Sequence, residues 1–440
     1  MHPFFKSPFF NFEYLRLLAM APHEGAEIGE ALEAAAKIKD LEPESWFSAF
    51  LDAGNKAEEI AQEAEQAGDR VSARRAYLRS SNYIRAAQFM LNEGPIGNDQ
   101  RVLPSIERAI ANFRKGVQYR DGRTFFLEIP YEDGLKLPGY LYLPEPARRI
   151  PGRKIPILLN SGGGDSTQEE IYFVNPAFGP ELGYAVVTFE GPGQGIVLRR
   201  DKLPMRPDWE VVTSAVLDHL FDFATRHPEL ELDLDHIAVT GASMGGYFAL
   251  RAAADARIKA CVSVDGFYSL ASFVGGRMPG PLFHGFMNGW LPDAVFNGIL
   301  RSLQRFDFQA RWELNHLKWA TGTTTEADIM RSFGDYTLLN PDGTEYLANV
   351  KCPTLVTGAG ASWYFDPATT TDKIYDCLTS LTPGVDKEKW IAQDIAHGGL
   401  QAKIGAFGYS VHRTFQWLDA NFGIEREPLE AKSDLRELVQ

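Results

Sequence analysis

The sequence predicts an α/β protein: a mostly parallel sheet with helices on both faces, preceded by a helical domain. Two observations predict the sheet and one predicts the domain. From about residue 150, short continuous apolar runs alternate with helical stretches, the pattern of parallel strands buried on both faces. One of those strands runs through a Gly-x-Ser-x-Gly turn straight into a helix. Residues 11–118, by contrast, are rich in Ala, Glu and Arg, with apolar residues at helical spacing.

Taken in order, residues 1–120 form the helical, lid-like domain and 121–440 the catalytic domain. The Ala-Gly-Asp turn at 67–69 separates two antiparallel helices, the breaker NEGPIG (92–97) ends the second, and Leu103–Val117 resumes the helical pattern. The pattern changes near residue 123. The runs RTFFLEI and LKLPGYLYL flank Glu132-Asp-Gly134, a hairpin signature. Strands follow at IPILLN (155–160), YAVVTFE (184–190), HIAVTGAS (236–243), IKACVSVD (258–265), PTLVTG (353–358) and KEKWIAQD (387–394), with helices near 208–225, after Ser243 and near 405–420. Residues 266–348, aromatic and full of breakers, interrupt the alternation. An insertion of that length between core strands predicts a helical cap; a peripheral packing layer is the plainer alternative. The tail EREPLEAKSDLRELVQ is charged and reads as a surface helix or frayed end.

Composition bounds the function. Of the 440 residues, 45% are hydrophobic and 23% charged, so a large core is expected rather than disorder. The formal net charge of −14 argues against nucleic acid as a partner. No run of 18 or more apolar residues predicts a membrane span. The N-terminus MHPFFKSPFFNFEYLRLL, interrupted by Lys6, Glu13 and Arg16, lacks the uninterrupted apolar block and small-residue cleavage site expected of a signal peptide. Cys261, Cys352 and Cys377 lack metal-type spacing, and buried thiols in a reduced, cytoplasmic protein are the simplest reading. No metal and no cofactor are expected, because no His/Cys/carboxylate cluster shows ligand spacing. Gly191-Pro-Gly-Gln-Gly195 has the wrong spacing for a dinucleotide fingerprint and reads as a structural turn at the pocket wall.

Three segments carry chemistry. Gly241-Ala-Ser243-Met-Gly245-Gly246 has strand before and helix after, the context of a nucleophile elbow. Small neighbours let strand and helix approach, and the helix N-terminus faces developing negative charge. Asn160-Ser-Gly-Gly-Gly-Asp-Ser-Thr167 follows the first central strand, where one oxyanion-hole N–H arises; Met244 supplies the other, and Gly162, Gly163 and Gly164 are the candidates for the first, with Gly163 and Gly164 preferred. His397, after the last strand, is the expected general base. His236 and His412 suit packing or surface roles; His284 and His316, in the insertion, could touch substrate, with packing the plainer role. The order Ser243, acid, His397 is that of the α/β-hydrolases. The acid is expected after PTLVTG. Position 361, where many such proteins carry it, is an alanine, and Asp366 is the first carboxylate available. Asp366-Pro367 could equally start a helix. Asp265, ending the preceding strand, is the rival, and a site without an acid is the remaining alternative. Trp363, Tyr364 and Phe365 are candidates to line the pocket, or simply core.

YLRSSNYIRAAQFML (77–91), NSGGGDST (160–167), FEGPGQG (189–195), GASMGG (241–246) and AHGG (396–399) together resemble a branch of the α/β-hydrolases with an N-terminal helical domain. That branch includes 2,6-dihydroxypseudooxynicotine hydrolase and fungal hydrolases that shorten polyketide chains in melanin pathways. The resemblance implies an α/β-hydrolase fold, C–C bond hydrolysis of a β-diketone or aryl ketone, and a homodimer. The displaced acid and the long 266–348 insertion depart from the bacterial pattern. Esterase, lactonase or acyltransferase chemistry through the same acyl-enzyme is the alternative, and a non-catalytic binding protein the third reading.

Overall fold

The computed structural model describes residues 3–93, 97 and 99–429. Its centre is an eight-stranded sheet: β1 (Thr124–Pro130), β2 (Lys136–Tyr142), β3 (Ile155–Ser161), β4 (Ala185–Phe189), β5 (Leu232–Ala242), β6 (Ile258–Val264), β7 (Thr354–Ala359) and β8 (Lys387–Ala392). The spatial order is β1-β2-β4-β3-β5-β6-β7-β8. The hairpin β1–β2 is antiparallel, with Thr124 opposite Tyr142, and β2 runs antiparallel to β4. All other pairs are parallel.

The apolar runs follow from two-sided burial. Every residue of β3, β4 and β7 is buried. Alternate side chains enter different cores. Ile157, Leu159 and Val239 pack with Trp209 and Phe248 of the helices Trp209–Arg226 and Met244–Ala252. Leu158, Ala238 and Val262 pack with Phe407, Val411 and Phe415 of the helix Phe407–Asn421. Parallel order also brings the loops after β3, β5, β7 and β8 to one edge of the sheet, where sites form in open α/β folds.

Among the described residues the N-terminal region folds as five helices of eight residues or more: Pro8–Leu18, Ile28–Lys37, Pro43–Gln66, Arg70–Phe89 and Val102–Gln118. The third and fourth turn at 67–69 as predicted. Gly68 takes φ 75°, and the Asp69 side chain accepts from Ser72 N as the cap of the next helix. The 266–348 segment carries five helices: Leu270–Arg277, Gly280–Met287, Asp293–Phe306, Phe308–Thr321 and Glu326–Ser332. Phe308 and Trp312 of this segment join the N-terminal core of Phe9, Phe10, Trp46 and Phe50. Trp312 stacks on Phe89 at 4.6 Å and its indole N–H donates to Phe89 O at 2.8 Å. The insertion therefore packs against the N-terminal helices as well as the sheet.

All three cysteines are buried and free. Among the described residues no helix is long and apolar enough to cross a membrane. The core of the breaker at 94–96 and most of the charged tail, 430–440, lie outside the described residues.

Candidate active site

Ser243 sits between β5 and the helix Met244–Ala252 with φ 57° and ψ −117°, a strained conformation for a residue with a side chain. Its N–H donates to Val264 O at 2.8 Å, which ties the turn to β6. The flanking glycines are required by close approach. A Cβ on Gly241 would lie 2.3 Å from Gly245 O, and one on Gly245 would lie 2.9 Å from Ser161 O and Gly162 O. Strand, turn and glycine loop are thus in backbone contact, and Ser243 is lifted to the floor of a cavity of about 530 Å³. Its walls are mainly apolar and include Phe9, Phe12, Phe267, Phe273 and Leu317. They come from the N-terminal helices, the sheet loops and the 266–348 insertion alike.

The predicted oxyanion donors are at this floor. Met244 opens its helix, and Gly163 and Gly164 line the cavity beside it. Gly163 N–H is already used, donating to Ser166 Oγ at 2.8 Å. A Cβ on Gly164 would meet Met244 Cβ at 3.8 Å, so Gly164 is the loop residue laid against the helix start.

His397 and the carboxylate it contacts are arranged differently from the expectation. His397 Nδ1 lies 2.7 Å from Asp394 Oδ1, which also accepts His397 N–H at 3.0 Å. The hydrogen bond from His397 holds the Asp394 carboxyl below the usual range. This tight turn folds the imidazole over its own loop, 63% exposed and edge-on to Tyr409, and His397 is not among the residues lining the cavity. Gln401, Ala402 and Ile404 occupy the cavity wall instead.

Neither predicted acid pairs with His397. Asp366 is exposed and accepts from Ala368 N at 2.9 Å, closing a turn of its own before the helix Thr371–Cys377. Asp265 is 3% exposed, 2.8 Å from Lys403 Nζ, and accepts from Thr357 Oγ1 at 2.8 Å. It is a buried structural ion pair whose lysine is held below its ordinary pKa by burial. Sequence reasoning did not single out Asp394 as the partner of His397. The signal was available as Asp-x-x-His, a spacing that one 3₁₀ turn closes. Of the aromatic run, Tyr364 and Phe365 line the cavity, whereas Trp363 packs edge-on to Phe12 at 4.8 Å.

A second feature escaped the sequence reading. Arg16 spans the cavity edge, with Nε 2.6 Å and Nη2 2.7 Å from the two Glu170 oxygens, and Nη1 3.0 Å from Asp165. Arg85 adds a contact to Glu170 at 3.3 Å. Glu13, also on the cavity wall, has only a 3.3 Å contact to Arg16. Burial pushes its carboxyl up to about 8, and Arg16 offsets this only in part. Asp165 is also pushed upward by burial, but Arg16 brings it below its ordinary value. Among the described residues no group of three His, Cys, Asp or Glu is placed to hold a metal ion.

The tight strand–helix turn at Ser243, the glycine loop and the strand order are those of an α/β hydrolase, and the chain belongs to that family. The α/β hydrolase family matches over residues 157–385. The alpha/beta hydrolase psoB of Aspergillus fumigatus is 82% identical over 100% of this chain and 99% of its own length. The hydrolyase poxO of Penicillium oxalicum is 48% identical over 97% and 100%. The 20-hydroxy-prefusarin hydrolase FUS2 of Gibberella moniliformis is 47% identical over 98% and 100%. Among solved structures, 2,6-dihydroxy-pseudo-oxynicotine hydrolase superposes with a TM-score of 0.67 at 21% identity, covering 95% of this chain and 100% of that one. This last likeness concerns the fold, including the helical N-terminal region.

Proposed function

We propose that this hydrolase cleaves a C–C bond in a ketone or β-diketone of polyketide type, with Ser243 as nucleophile. The observation that carries the reading is the position of Ser243: a strained strand–helix turn that lines a largely apolar cavity together with Met244 and Gly164. The relatives named as hydrolyase and as a 20-hydroxy-prefusarin hydrolase favour a secondary metabolite as substrate.

Ser243 Oγ adds to the ketone carbon as its proton passes to His397. The carbonyl electron pair becomes an alkoxide held by Met244 N–H and Gly164 N–H. Collapse breaks the C–C bond and expels an enolate or aryl carbanion, which takes the proton back from the imidazolium. Water then cleaves the acyl-enzyme to a carboxylic acid and regenerates Ser243. Asp394 orients the ring and supports its positive charge. For this the 395–397 turn must rotate the ring from solvent toward Ser243. The apolar walls keep water from the carbanion until it is protonated.

Product mass spectrometry with a β-diketone tests the reading. Wild type should release an acid and a shortened ketone in equal amounts, and Ser243→Ala should release neither. A shortened ketone released together with an acylated nucleophile, in place of the free acid, would instead assign acyl transfer.

A further inference from the structure

The carbonyls of the glycine loop are clamped from two distant parts of the chain. Gln194, in the Gly-Pro-Gly-Gln-Gly turn after β4, places Nε2 2.9 Å from both Gly162 O and Gly163 O. His316, on the insertion helix Phe308–Thr321, donates from Nε2 to Gly164 O at 2.9 Å. Both are buried, at 2% and 5% exposure.

Each clamp is itself held. Gln194 Oε1 accepts from Gly191 N at 3.0 Å, which fixes the amide with its NH₂ toward the two carbonyls. Glu190 braces the turn, accepting from Gln168 N at 3.0 Å and Ile196 N at 2.7 Å. His316 lies parallel to Trp312 at 5.0 Å, the same tryptophan that bonds Phe89 O. With Nε2 facing a carbonyl, the proton sits there, and burial keeps the ring neutral by lowering its pKa.

The consequence follows from peptide geometry. In a planar trans unit the C=O of one residue and the N–H of the next point in opposite directions. Gly163 O and Gly164 N–H belong to one such unit, so holding Gly163 O against Gln194 turns Gly164 N–H to the other side. His316 fixes the following unit through Gly164 O. Gly164 N–H has no protein acceptor among the described residues, whereas Gly163 N–H is spent on Ser166. Consecutive glycines resist rotation of these units very little by themselves, so the clamps supply the rigidity.

We propose that Gln194 and His316 are positioning residues that lock the glycine loop so that Gly164 N–H, with Met244 N–H, faces the oxyanion formed at Ser243. This rests on the nucleophile reading of Ser243. Gln194 does not line the cavity, whereas His316 does and acts on the loop through Gly164 O.

The test compares two inhibitors of the full-length protein: phenyl trifluoromethyl ketone, which forms a hemiketal oxyanion with a serine, and acetophenone, which does not. Wild type should bind the trifluoromethyl ketone about a hundredfold tighter or more, the scale of an oxyanion-hole donor. Gln194→Met and His316→Ala should each cut that preference roughly tenfold or more, and Gln194→Met, whose side chain does not line the cavity, should leave acetophenone binding unchanged. On a p-nitrophenyl ester both should lower kcat, and Gln194→Met should spare KM. His316→Gln, which can still donate, should recover part of the loss. If Gln194→Met does not fold, the isosteric Gln194→Glu takes its place, and His316→Ala probes the other clamp independently. An unchanged preference in the folded variants overturns the proposal alone. No preference in wild type overturns the Ser243 reading and the proposal with it.

Discussion

His397 Nδ1 and Asp394 Oδ1 lie 2.7 Å apart on one turn, three residues from each other in the chain. A carboxylate this close fixes the tautomer and carries an imidazolium, the work of a triad acid. Asp394→Asn should therefore cut kcat by about a hundredfold or more with little change in stability, since the pair is exposed. Asp366→Ala, which removes one exposed turn bond, should cost about 0.5–1 kcal/mol and leave kcat intact. Steady-state kinetics and thermal melts on both variants decide. A crippled Asp366 variant beside an active Asp394 variant would restore the triad expected from the sequence.

Asp265 calls for a different outcome. Its partner Lys403 is 1% exposed and also donates to Gly358 O at 2.8 Å, so removing the carboxylate strands a buried ammonium. Asp265→Ala should destabilise the fold by about 3–5 kcal/mol. Adding Lys403→Met should recover much of that loss, because an apolar pair replaces a stranded charge. Urea unfolding of the two singles and the double gives the coupling. Near-additive losses would show that the two groups act independently.

The elbow makes a sharper demand on backbone space. Gly241→Ala places a Cβ 2.3 Å from Gly245 O, and backbone cannot swing aside as a long side chain can. The helix Met244–Ala252 must shift from β5, costing about 1–3 kcal/mol. Ser243 leaves its strained turn in doing so, and fluorophosphonate labelling of Ser243 should fall with it. Ser243→Ala should abolish labelling at native stability. Labelling that survives in Ser243→Ala would remove Ser243 as the nucleophile.

What was legible in the sequence was what repeats along a strand or is forced by local sterics. Continuous apolar runs gave the strands to within a few residues, because two-sided burial leaves no other pattern. Gly241, Gly245 and Ser243 were legible because the elbow's crowding admits only small neighbours. The site's polar partners were not. Asp366 looked like the acid because chain order predicts one after β7, yet its loop closes on its own Ala368 amide. The clamps from Gln194 and His316 join residues 31 and 152 positions from their acceptors, and no local pattern marks such a pair. The same holds for Arg16, whose carboxylate partners Asp165 and Glu170 lie 149 and 154 residues away.

That last cluster sets a pH dependence. Glu13, Asp165 and Glu170 crowd around Arg16 and Arg85, three carboxylates to two guanidinium groups. Glu13 has the weakest hold on the cations, and burial moves its carboxyl from 4.5 up to about 8. Between those values the folded protein keeps a proton at Glu13 that the unfolded chain has released. By linkage, stability contributed by this group is full at pH below about 4.5 and is lost as pH rises toward 8, at no more than about 1.4 kcal/mol per pH unit. Glu13→Gln keeps the neutral shape and has nothing to ionise. The variant should match wild type near pH 5 and exceed it by a few kcal/mol at pH 8 or above. Glu190, also raised to about 8 by burial, gives both proteins a common slope, so the difference between the two curves is the readout. Urea unfolding at several pH values measures it. Parallel curves would mean that Glu13 is ionised throughout and that Arg16 shares its charge among all three carboxylates.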